Sequence, residues 1–202
     1  MGRSTRPILV SLVTVSLWAP AAARQDLTRS DAASMTQKVA AIMARGADQA
    51  ATTRAPLRTS FTEQELNAYL QYSDQVHMPP GVLNPRVKIA DGGLVSAHAL
   101  VDLDAVRKSK DRSWLDPLAY VGGTVDVNAV GTLTTANGQG TFSLQSATLG
   151  GMSIPKSVLQ ELVTQYSKSA DAPAGFELDK PFALPAAIRA VETHQGSATI
   201  VQ

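Results

Sequence analysis

Three histidines, His77, His98 and His194, carry the chemistry easiest to read, because imidazole titrates near neutral pH and serves as general base or metal ligand. A hydrolase would set one of them beside a serine nucleophile and an orienting acid. His77 falls in a proline-rich stretch, His98 on the polar side of an alternating strand pattern, and His194 beside a turn. The nearest approach to a nucleophile elbow, GMSIP from Gly151 to Pro155, lacks the second glycine. One S-x-x-K spacing occurs, Ser153 to Lys156, but neither S-D-N nor K-T-G accompanies it. Ser153 is therefore expected to cap a helix and Lys156 to be a surface lysine. Asp102 and Asp104 read as one face of a strand, where two carboxylates suit a calcium ion. Charge alternation on an exposed strand explains them without a metal. The chain has no cysteine, which excludes disulfides, a thiol nucleophile and Cys-ligated zinc. No catalytic residue, metal site or cofactor is assigned.

An apolar site needs no such motif. Each buried methylene contributes about 0.8 kcal/mol, so a dozen give a large gross driving force for an acyl or isoprenoid chain. The residues offering such a lining are Val101, Leu103, Val125, Val127, Leu133, Phe142 and Leu144 on strand patterns. Leu159, Leu162, Val163 and Tyr166 add a helical stripe. The same residues would also pack on one another as an ordinary core. Nucleic acid is not an expected partner, because 18 Lys and Arg face 17 Asp and Glu and aromatics are 5%. The basic group Arg107, Lys108, Lys110 and Arg112 reads as a solvated loop that could touch anionic headgroups.

These residues must be positioned by helices and hairpins. Met35, Val39, Ile42 and Met43 repeat with helical period between Ser30 and Arg45, with Ser30 as N-cap and Gly46 as stop. Residues 47–58 read as a connector. FTEQEL then supplies a capping box from Thr62 and Glu65, and a hydrophobic staple from Phe61 and Leu66. Beyond the proline-rich loop at 74–85 the period changes to two. A three-residue Asp91-Gly92-Gly93 loop pairs Ile89 with Val95 and Val87 with Ala97. Asn137-Gly138 is a type I′ turn that sets Leu133 opposite Phe142 and Gly131 opposite Leu144. Carried further, that register puts Val127 opposite Thr148 and Asn128 opposite Ala147. One face is apolar and the other hydroxyl and amide, the pattern of a one-sided antiparallel sheet. Pro155 opens a second helix, and the stretch from Phe176 to Gln202 reads as extended, with a turn at Gln195-Gly196. The fold class is α+β.

Residues 1–23 read as a secretory signal peptide, with Arg3 and Arg6 before an apolar stretch and Ala21 and Ala23 at the cleavage site. The expected organisation is that leader, an N-terminal helix and connector over 24–58, and one α+β domain over 59–202. Localisation is expected to be periplasmic or extracellular.

The order FTEQELNAYL, two long hairpins, GGMSIPKSVLQELV and FALPAAIRAVETHQGSATIVQ resembles small exported bacterial envelope proteins of the LmeA-like, YceB-like and YpmS-like groups. These are similar to the tubular lipid-binding (TULIP/SMP-like) fold, and the resemblance covers residues 60 to 202. It implies a curved antiparallel sheet on or around amphipathic helices, a lipid held in the apolar interior, and no catalytic residues. The expected partner is then a lipid-like molecule, an envelope protein or a membrane surface. The alternative plan is cystatin-like, an interaction or assembly module with a solid core and no ligand.

Overall fold

The computed structural model describes residues 26–48, 55–108, 122–166 and 174–202. The segment at 1–23 expected to be a leader, Lys110 and Arg112 of the basic group, and residues 167–173 lie outside the described residues.

Helix α1 spans Arg29–Ala47 and starts two residues earlier than its apolar period suggests. Thr28 is the N-cap: its hydroxyl accepts from the Asp31 N–H at 3.1 Å, and the Asp31 carboxylate accepts from the Thr28 N–H at 3.2 Å. Ser30 is a helical residue instead, because the partner three residues after it is Ala33, which cannot complete the reciprocal pair. Gly46 does not stop the helix. It allows close approach, since a Cβ there would lie 2.3 Å from the Ala186 Cα.

Strand β1 (Arg58–Thr62), unread in the sequence, leads directly into α2 (Glu63–Tyr72). The expected capping box is present at this junction, with Thr62 and Glu65 bonded to each other's backbone N–H. Phe61 and Leu66 meet in the core, as the staple requires. The Glu65 carboxylate also accepts from the Lys38 ammonium at 2.6 and 2.7 Å and from the Ser34 hydroxyl at 2.6 Å. One side chain thus caps α2 and clamps α1 to it.

The chain continues through β2 (Val82–Ile89), a 3₁₀ turn at Asp91–Gly93, β3 (Leu94–Asp102) and the short α3 (Leu103–Lys108). Then come β4 (Thr124–Ala136), β5 (Gln139–Leu149), β6 (Met152–Ser153) and α4 (Lys156–Tyr166). Strands β7 (Pro181–Ala183), β8 (Ala190–His194) and β9 (Ser197–Val201) complete the chain. All pairing is antiparallel, in two sheets. A large one runs β2-β3-β4-β5-β6, with β7 also on β5, and a small one runs β1-β9-β8.

The β2–β3 register is the one expected, with Val87 opposite Ala97 and Ile89 opposite Val95. At the β4–β5 turn Asn137 and Gly138 have φ of 51° and 78°, and Leu133 faces Phe142. Farther from the turn the expected register is wrong by one. Val130 pairs with Ser146 while Gly131 pairs with Leu144, so Gln145 is an extra, bulged residue. Val127 therefore faces Leu149, and Asn128 faces Thr148.

The buried core joins both sheets to the first two helices. Met35 and Ile42 of α1, Phe61 of β1, Ile89 of β2, and Ala198 and Ile200 of β9 form one cluster. Leu66, Tyr69, Val87 and Val191 pack around it. Gln202 ties this end together: its side-chain amide donates to the carbonyls of Ile42 at 2.8 Å and Ala186 at 2.6 Å, while its backbone pairs with Leu57.

Candidate functional site

The large sheet carries two chemically distinct faces, and registers define them residue by residue. On one face, rows across the strands read Val82, Val101 and Val125, then Ala99, Val127 and Leu149. The next rows are Val87, Ala97, Ala129 and Ala147, then Ile89, Val95, Gly131 and Leu144, and finally Leu133 with Phe142. Every residue on it is aliphatic, aromatic or glycine.

Two bulges make this face continuous. In β5 the apolar positions are Phe142, Leu144, Ala147 and Leu149, an alternation that changes phase between Leu144 and Ala147. The extra residue Gln145 absorbs that change and returns Ala147 and Leu149 to the apolar side. In β2 a second irregularity lies between Leu83 and Arg86, where Asn84 has a φ of 47°. It puts Val82 on the same side as Val87, five residues later. The phase change in each strand was the available signal; strict period two hides Ala147, Leu149 and Val82 from the lining.

Six of the residues expected to line a ligand lie on this face: Val101, Val125, Val127, Leu133, Phe142 and Leu144. Leu103 does not. Asp102 ends its strand by accepting from the backbone N–H of Asp104 at 2.9 Å and of Ala105 at 3.1 Å, the bonds of a helix cap. Leu103 thus opens α3 and is 2% exposed, a core residue and not part of the sheet lining. The same cap corrects the reading of Asp102 and Asp104 as neighbours on a strand face. Asp104 accepts instead from the Gly123 N–H at 3.1 Å.

Helix α4 packs against β5 and starts directly after Pro155. Leu159 and Val163 on it are half-buried, whereas Val158 is 46% exposed. Leu162 and Tyr166 also lie on α4, with side chains outside what is described. Gln160 fastens the helix to the following segment, accepting from the Leu178 N–H at 2.7 Å and donating to the Phe176 carbonyl at 3.0 Å. Phe176 and Phe182 meet edge to face with centroids 4.9 Å apart.

Burial along the apolar face is incomplete. Ile89, Gly131 and Ala147 are buried, Ile89 within the closed core. Leu133, Phe142 and Leu144 near the turn are half-buried, as are Val82, Ala99, Val101, Val125, Val127 and Leu149 toward the far end, and Ala97 is exposed. A sheet face this uniformly apolar, left partly open, is a surface that water solvates poorly.

The opposite face carries Ser96, His98, Asp126, Asn128, Thr132, Thr134, Thr141, Ser143 and Thr148. His98 pairs there with Asp126 at 2.9 Å, both well exposed. His77 is exposed and lies 3.3 Å from the Gln75 carbonyl, and His194 lies 3.8 Å from Asp91. The three histidines are thus in separate places. Ser153 pairs with Thr148 inside β6, and Lys156 reaches Asp179. Ser153 is therefore not the expected helix cap. Among the described residues no group of three His, Asp or Glu could hold a metal ion, and no helix is long and apolar enough to cross a membrane.

Neither protein-family models nor curated protein sequences give a match to this chain.

Proposed function

We propose that this protein is an exported, non-catalytic binder of a lipid-like molecule, whose apolar chain lies on the far half of the large sheet's apolar face beside α4. The observation carrying this reading is the contrast between uniform apolarity and incomplete burial over Val82, Val101, Val125, Val127, Ala99 and Leu149. Burying this face removes apolar surface from water at roughly 25 cal/mol per Å², with no charged partner needed. A linear chain laid across it would touch branched and small side chains from four strands. The leader at 1–23 would deliver the protein to the envelope, where such ligands are abundant, and the resemblance to envelope lipid-binding proteins agrees with this.

Native mass spectrometry of protein purified from its own envelope, with lipid extraction, tests the reading. Co-purified lipid, or saturable uptake of a fluorescent fatty acid, is the expected result. Protein that is reproducibly ligand-free and takes up no fluorescent lipid overturns it. Recovery of a crosslinked envelope protein on the same face, without lipid, would point instead to an assembly module.

A further inference from the structure

A second cavity opens at the β2–β3 turn end of the large sheet, lined mainly from the face opposite the apolar one, with Ile89 at its border. The face opposite the apolar one is mostly hydroxyl and amide but also carries aliphatic side chains, Leu83 and Leu100 along it and Leu94 and Val130 near the β2–β3 turn. Leu94 and Val130 line an open cavity of about 440 Å³ together with Glu63, Lys88, Ile89, Ser96 and Gln195. That volume is within the range of small-molecule pockets, roughly 300–1,000 Å³.

The wall has charge of both signs. Glu63 is half-buried at the start of α2, and its Oε2 accepts from the Ile89 N–H at 2.9 Å, which fixes the carboxylate. Lys88 stands in the row Lys88, Ser96 and Val130, and its ammonium has no ion pair among the described residues. Elsewhere among the described residues Glu65 pairs with Lys38 and Glu192 with Arg58. Here an anchored carboxylate and an unpaired ammonium border the same cavity, over an aliphatic floor and beside a hydroxyl and an amide. Leu94 is 38% exposed, an apolar surface without a cover.

We infer that this cavity binds a small zwitterion with an aliphatic side chain, a free α-amino acid or a short peptide with both ends free. Its ammonium group faces Glu63, its carboxylate faces Lys88, and its side chain rests on Leu94 and Val130. Opposite charges at the two ends fix the ligand's direction, and the floor selects aliphatic over polar side chains.

Methyl-resolved NMR of the full-length protein, titrated with leucine and with alanyl-leucine, reads this directly. Saturable shifts of the Leu94 and Val130 methyls are expected, and the tighter of the two probes distinguishes a free amino acid from a peptide. Leucinamide and N-acetyl-leucine, each lacking one charge, should bind at least tenfold more weakly. Lys88→Met, at an exposed position, and Glu63→Gln, which keeps an acceptor for the Ile89 N–H, should each weaken binding at least tenfold while leaving the spectrum folded. No saturable shift with either probe at 20 mM, or equal binding of leucine and leucinamide, overturns the proposal. So does unchanged affinity in Lys88→Met. Lipid uptake by the opposite face should be unaffected by either variant, so failure here leaves the lipid reading to its own test.

Discussion

The side-chain amide of Asn67 makes both hydrogen bonds that a neighbouring strand would make to Val87, donating to its carbonyl at 2.8 Å and accepting from its N–H at 2.7 Å. Asn67 is 5% exposed, and the bonds seal the outer edge of β2. One turn earlier on α2, Glu63 accepts from the Ile89 N–H. Four helical residues rise about 6 Å and two strand residues about 6.6 Å, so the helix and the strand edge keep step.

Asn67→Ala should therefore destabilise the protein by about 1–3 kcal/mol, because it leaves the half-buried N–H and carbonyl of Val87 without partners. Asn67→Asp keeps an acceptor for the Val87 N–H but loses the donor and buries a charge, so it should not rescue. Urea denaturation measures both. A cost below about 0.5 kcal/mol in Asn67→Ala would show that water replaces the amide without penalty.

Glu65 gives the fold an acid-sensitive clamp. Burial pushes its pKa up, but the Lys38 and Ser34 side chains and the Thr62 N–H outweigh this and bring it down from 4.5 to about 2. A carboxylate with a depressed pKa stabilises the fold fully above its unfolded value, and the contribution fades as pH falls through the folded one. Stability should thus decline between about pH 5 and 2. After allowance for solvent around the half-buried Lys38, the share belonging to Glu65 is on the order of 1–2 kcal/mol. Glu65→Gln should be less stable at pH 7 and show a flatter profile over that interval. Parallel melting curves of both proteins at pH 7 and pH 3 decide it; an equal loss in each would remove Glu65 as the cause.

In the β4–β5 hairpin the absence of a side chain at Gly131 makes room for the Phe142 ring. A Cβ at Gly131 would stand 2.4 Å from the Phe142 ring and 2.8 Å from the Ser143 carbonyl oxygen. Gly131→Ala should cost about 1–3 kcal/mol through overpacking. In the background of Phe142→Leu the same substitution should cost less, since the ring edge is gone. A double-mutant cycle by urea denaturation gives the coupling, and strict additivity would place the strain on the backbone contact alone.

What the sequence made legible follows from how local each signal is. The Thr62–Glu65 box and the Asn137-Gly138 turn depend on residues within four positions of each other, and both stand where they were read. Hairpin registers hold as far as the first bulge and fail beyond it, because one extra residue such as Gln145 inverts every later assignment. β3 ends earlier than the sequence pattern suggests, because Leu103 continues the period of two. Only the Asp102 cap, which competes with the ladder, turns it into α3. β1 is short, polar on one side and paired with residues about 140 positions away, so no local pattern announces it. No local pattern marks Asn67, because its two partners belong to an edge that exists only once β2 is in place.

The half-open apolar face yields a prediction that separates ligand binding from folding. Val127 sits mid-face between Ala99 and Leu149 and is only half-buried. Val127→Asn places an amide where a lipid chain would lie, and the chain cannot satisfy its hydrogen bonds. Uptake of a fluorescent fatty acid should fall at least tenfold, while stability should change by no more than about 1 kcal/mol because solvent still reaches the site. Ile89→Ala is the converse. Ile89 is 4% exposed in the closed core at the other end of the same face, so the substitution should cost about 2–4 kcal/mol and leave uptake near its original value in the folded protein. Fatty-acid titrations and urea curves on both variants give a two-by-two comparison. If Val127→Asn costs as much stability as Ile89→Ala and leaves uptake intact, the far half of the face is ordinary core. If uptake is lost while stability holds, that half is where the ligand lies.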